Sequence, residues 1–137
     1  MLKIVSFLLM GWLWTQSVAG QTPSHDFSLD QYRWKNRLLL VFFDTPEGKE
    51  AYQAQKQLFE SKESELLERD LLIFDDQAVL KPYRQRFRLT HTQNDFSIVL
   101  VGKDGGQKAI YDGLTPLKRI FELIDQMPMR RAEMRKN

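Results

Sequence analysis

The side chains able to do chemistry gather in four short stretches of this 137-residue chain. Asp44, Thr45, Pro46 and Glu47 directly follow an apolar run, and the free N–H groups of a helix starting there could hold an anion. Thr45 is also placed simply to cap that helix, with Pro46 at its first position. Lys103, Asp104, Gly105 and Gly106 set a lysine among glycines, as phosphate loops do. They lack the Walker spacing and precede a strand, so they read as a hairpin turn. His25 and His91, with Met127, Met129 and Met134, supply donors that suit Cu(I), but their spacing matches no ligand pattern. The methionines then read as core filler and the histidines as surface. Asp75 and Asp76 adjoin at a strand end, where neighbouring side chains diverge, so they begin a turn. No residue is assigned as catalytic, cofactor-binding or metal-ligating, and no cofactor is expected.

Cysteine is absent. That removes thiolate nucleophiles, Cys-ligated zinc, iron–sulfur clusters, disulfides and anchoring through a lipidated N-terminal cysteine. A core must hold the domain, and nine Phe, four Tyr and three Trp supply it.

The elements that must position these stretches follow from periodicity. Residues 38–43 are apolar throughout, which suits a strand buried on both faces. After Thr45 the chain reads as an amphipathic helix with Ala51, Ala54, Leu58 and Phe59 on one side and Tyr52, Phe59 and Leu66 at sevenfold spacing. It is open whether this helix breaks at 61–64. Residues 71–74 form a second strand, Pro82 opens a short helix, and 96–101 form a third strand, joined by the glycine turn to a return strand at 107–111. Thr115 and Pro116 repeat the cap-and-proline start, and Leu117, Ile120, Phe121 and Ile124 make the inner face of a last helix. The alternation predicts parallel pairing in the first half and an antiparallel edge at the end.

The chain opens on Lys3, an apolar run over 4–14 and the small residues Ser17, Val18, Ala19 and Gly20, the pattern of a cleaved secretory signal at 1–20. That run is shorter than the roughly 20 residues a spanning helix needs, so no integral membrane segment is expected after cleavage. Losing Lys3 lowers the formal charge from +2 to +1. Such a balance gives no argument for nucleic acid as a partner. Residues 21–28 read as a mobile arm, 29–128 as one domain, and 129–137 as a basic tail carrying Arg130, Arg131 and Arg135.

The element order resembles the thioredoxin-like three-layer α/β fold, with a mixed central sheet, a closing β-hairpin and a C-terminal helix. More specifically, YRWKNRLLLVF at 32–42, LVGKDGG at 100–106 and IDQMPMRRAEMR at 124–135 resemble the bacterial family known as domain of unknown function 4174. Related domains occur in secreted animal matrix proteins with sushi repeats or coiled coils. The resemblance implies an exported protein, periplasmic or secreted, of the peroxiredoxin and thioredoxin kind. It also implies that Asp44, Thr45 and Pro46 occupy a vestigial active-site corner, where relatives keep a cysteine. Asn94, Asp95 and Phe96 likewise lack the proline that thioredoxins hold there. Without a thiolate, dithiol exchange and cysteine peroxidase chemistry are excluded.

The expected function is a binding or adaptor module for a protein partner in the exported compartment. Its expected surface joins Arg33, Trp34 and Lys35 to Met129, Arg130, Arg131 and Arg135, where aromatic, soft apolar and forked cationic groups suit an acidic partner. Two other readings stay open. One is an enzyme without a thiol, using Asp44, Thr45 and Lys103 or Arg84 near the strand ends. The other is an adhesion module that binds polyanions in a salt-sensitive way.

Overall fold

A computed structural model describes residues 27–89 and 96–137. The leader, His25, His91 and most of the arm lie outside the described residues. β1 spans Arg37–Phe43 and is buried along all but its last residue. Because successive side chains point to opposite faces, Leu39 and Val41 enter one core while Leu38, Leu40 and Phe42 enter the other. The first core is closed by α1 (Pro46–Ser61), α2 (Glu63–Glu68) and α5 (Leu117–Asp125). The second is closed by a 3-10 turn at Leu29–Tyr32, α3 (Gln77–Leu80) and the segment around α4 (Tyr83–Arg86). The result is three layers with the sheet in the middle.

The sheet has four strands in the order β2-β1-β3-β4, with β2 at Leu71–Phe74, β3 at Phe96–Val101 and β4 at Gln107–Asp112. β2 lies parallel to β1, as the alternation predicts. β3 does not: it runs antiparallel to β1, with Phe96 opposite Phe43 and Val101 opposite Leu38. The reason lies in α3 and α4, each four residues long. At 1.5 Å per residue, about 6 Å each, neither crosses back over a seven-residue strand, so β3 starts at the end of the sheet where β2 finishes. β4 then returns antiparallel through the glycine turn.

Several local expectations change. The helix break falls at Lys62, between α1 and α2. α1 buries Gly48, Tyr52, Gln55 and Phe59, whereas Ala54 and Leu58 face outward. Thr115 does not cap α5: Pro116 stands there without a side-chain cap bond, and the Thr115 hydroxyl donates to the Gly113 carbonyl. The fully buried Gln55 amide clamps the Thr115 backbone instead, accepting from its N–H at 2.7 Å and donating to its carbonyl at 3.0 Å. Phe27 is not part of a mobile arm, since its ring packs on Tyr32, Phe74 and Tyr83 and its carbonyl accepts from the Tyr83 hydroxyl. The basic tail is likewise α6 (Pro128–Lys136), a helix packed against the domain. Among the described residues no helix is long and apolar enough to cross a membrane.

Candidate partner-binding site

The corner after β1 is occupied by its own residues. The Thr45 hydroxyl accepts from the Gly48 N–H at 3.0 Å, and Pro46 takes the first helical position. Asp44 pairs with Arg84, whose guanidinium lies 5.6 Å from the centre of the Phe42 ring. Next to it, the Gln77 side chain replaces a missing strand. Its amide donates to the Val41 and Asp75 carbonyls, both at 2.7 Å, and accepts from the Phe43 N–H at 3.0 Å. β2 pairs with β1 only as far as Leu40, so these groups of β1 would otherwise have no partner on that side. Asp76 caps α3 through the Ala78 and Val79 N–H groups. Asp75 accepts from the Tyr52 hydroxyl, and burial first, then the Asp75 charge, push the Tyr52 phenol well above its ordinary range.

The opposite end of the sheet, where β1 begins, carries an ionic network. Arg37 is 1% exposed. It donates to both oxygens of Glu133 at 3.2 and 3.3 Å and to the Arg69 carbonyl at 2.9 Å. Lys103 reaches Glu133 at 2.6 Å and Asp70 at 2.7 Å. Arg130, 2% exposed, holds the Glu68 carboxylate at 2.6 Å and Asp125 at 3.2 Å. Arg69 forks onto Asp125 at 3.0 and 2.8 Å and lies over the Phe121 ring. Four cations thus face four carboxylates in one continuous array. Burial pushes the Asp125 and Glu133 carboxyls up, but hydrogen bonds from Arg69 and Arg130, and from Lys103 and Arg37, outweigh it and hold both below the usual range.

This network corrects the expected partner surface. Arg130 does not belong to it: on α6 it faces inward, where Glu68 and Asp125 neutralise it. Lys103 is likewise committed inside the domain and cannot serve a site at the other end of the sheet. Arg131 and Arg135 remain exposed on the outer face of α6, with Met129 at 40% and Met134 at 43% exposure.

Arg33, Trp34 and Lys35 are all exposed, and Trp34 most of all at 63%. Its backbone is left-handed, with φ +65°, uncommon for a bulky residue. The Trp34 N–H donates to the Lys103 carbonyl at 2.6 Å, and the Arg33 guanidinium sits 5.8 Å from the indole centre. The glycine turn makes room: Gly105 has φ +83°, and a Cβ on it would lie 3.1 Å from Arg33 Nε. Lys103 therefore ties the two halves of the expected surface together, its carbonyl holding Trp34 and its amine holding Glu133 of α6. A cavity of about 300 Å³ lies at this junction, lined by Arg37, Lys103, Lys108, Met127 and Met129 among others.

The strand-and-helix alternation around one mixed sheet makes this an α/β domain with an ion-bound end and an exposed aromatic and cationic rim. Residues 28–133 match the family described as Domain of unknown function (DUF4174), and the chain belongs to that family. No curated protein and no solved structure matches it. The three stretches quoted for the resemblance meet in space: Arg37 comes from the first, Lys103 from the second, and Asp125, Arg130 and Glu133 from the third. Sequence reasoning missed this array because charged residues on a helix ordinarily read as a solvated face. The available signal was Arg37, a cation opening a run that is otherwise apolar at every position.

Proposed function

We propose that this is an exported, thioredoxin-like domain without thiol chemistry that serves as a binding module for an acidic protein partner. The single observation that carries the reading is Trp34, an exposed indole on a backbone held left-handed by the bond from the Trp34 backbone N–H to the Lys103 carbonyl. Strained, exposed aromatic residues on a rigid base are features of recognition sites. The charge distribution supports it. The buried cations are neutralised within the network, whereas Arg33, Lys35, Arg131, Arg135 and Lys136 make no ion pair among the described residues. The rim thus carries five cations with no carboxylate partner among the described residues, a charge that steers an acidic partner and sets its register. The occupied corner after β1 favours this reading over a thiol-free enzyme centred on Asp44, Thr45 and Arg84.

The test is crosslinking of the mature protein in its native compartment, comparing the wild type with Trp34→Gly and with Arg131→Glu/Arg135→Glu. Glycine adopts φ +65° without strain, so Trp34→Gly should leave stability unchanged or raise it by about 1 kcal/mol while the crosslinked partner is lost. Recovery of the same partner by both variants would refute the surface. The mass of the mature protein tests export, with an N-terminus expected near Gln21.

A further inference from the structure

We propose that the open edge of β2 binds an extended peptide as a fifth strand, antiparallel to β2, acidic at its N-terminal end and basic at its C-terminal end. This surface is separate from the Trp34 rim and does not depend on it.

β2 is an edge strand, paired only with β1. The Arg37 N–H donates to the Asp70 carbonyl at 2.9 Å. In a parallel ladder that sets the phase: Leu72 and Phe74 turn their backbone groups toward β1, and Leu71 and Ile73 turn theirs outward. Among the described residues no turn or loop backbone group bonds to Leu71 or Ile73. Two N–H and two C=O groups are thus set at strand spacing along one line.

A groove runs beside that line. One cavity of about 340 Å³ is floored by Tyr52, Phe59, Leu66 and Ile73. A second, of about 290 Å³, continues it through the shared residues Tyr52, Lys56 and Asp75. From Lys49 to Glu60, α1 advances about 16 Å, the length of about five extended residues. An added strand would therefore place alternate side chains over the aromatic floor while its backbone met Leu71 and Ile73.

The groove's walls are also charged in order. Lys49 and Lys56 stand toward the carboxyl end of β2, where they outnumber Asp75, which accepts from the Tyr52 hydroxyl, and Glu60 and Glu63 stand toward its start. None of the four makes an ion pair among the described residues. A strand laid antiparallel to β2 begins at the lysine end and finishes at the glutamate end, which is why the occupant is acidic first and basic last. β4, the other edge, is less suited: Lys108 and Gln107 stand exposed along it, and its pairing is interrupted at Leu100 and Val101.

The probe is a blocked, fluorescently labelled heptapeptide, Glu-Thr-Val-Thr-Val-Thr-Lys, whose charged ends share the groove-facing side with the valines, titrated by anisotropy, with amide hydrogen exchange followed by NMR. The expected results are saturable binding, slowed exchange at Leu71 and Ile73, and loss of binding when either valine nitrogen is methylated. The charge-reversed heptapeptide, Lys-Thr-Val-Thr-Val-Thr-Glu, should bind about tenfold more weakly, and the double variant Lys49→Glu/Lys56→Glu, which makes both ends of the groove acidic, should abolish that preference. No binding of either heptapeptide, equal binding of the methylated ones, or binding without slowed exchange at Ile73 would each overturn the proposal.

Discussion

Replacing Glu133 with glutamine removes the carboxylate that Arg37 and Lys103 share without changing the side chain's size. Lys103 keeps Asp70 as a partner. Arg37 does not have such a reserve: it is 1% exposed, retains only the Arg69 carbonyl as a full acceptor, and already has no partner for its Nε. Removing one member of a buried pair leaves an uncompensated charge, which costs about 3–5 kcal/mol. Glu133 is itself 26% exposed, so water can replace part of what is lost and the lower end, about 3 kcal/mol, applies. Urea unfolding is the assay: the midpoint should fall by that energy divided by the slope, with the slope unchanged. Adding Arg37→Met removes the stranded guanidinium and should restore part of the loss. A loss below about 1 kcal/mol, the level of an ordinary surface pair, would refute the reading of Arg37 as a buried charge that depends on Glu133.

Three further outcomes follow from the same geometry. Asp125 and Glu133 have folded-state carboxyl pKa values below their unfolded ones. Their contribution is therefore complete above the unfolded carboxylate range, near pH 4, and is lost as pH falls through the lower folded values. Unfolding midpoints measured across that range should show it, with a shallower decline in Glu133→Gln. Gln55→Leu strands the buried Thr115 N–H and carbonyl and should cost about 2–3 kcal/mol in chemical unfolding. Thr45→Ala should cost about 1 kcal/mol through the lost cap and leave partner crosslinking unchanged, whereas a vestigial site that still bound ligand would lose its partner.

What could be read from the chain was what depends on near neighbours. The β1 run, the Thr45 cap followed by Pro46 and the glycine turn are each decided within a few residues, whereas the break near Lys62 stayed open. The direction of β3 was not legible, because it is set by how far two four-residue helices can carry the chain. Nor was the burial of Arg130. Its helix has no apolar stripe, and its inner face is formed by Arg130 and Glu133 one turn apart, so the residues that bury it look the same as residues that meet water. Six of the seven residues of the expected rim, Arg33, Trp34, Lys35, Met129, Arg131 and Arg135, are exposed, while Arg130, between Met129 and Arg131, turns inward.

The bond between Arg37 and Glu133 spans ninety-six positions of sequence. On a ribosome moving at about 5–20 residues per second, the first strand therefore emerges several seconds before the carboxylate that neutralises it. A nascent chain ending short of residue 133 carries a guanidinium that the strand would bury and nothing has yet discharged. The last ionic contact of the first strand is thus postponed until translation has passed α6.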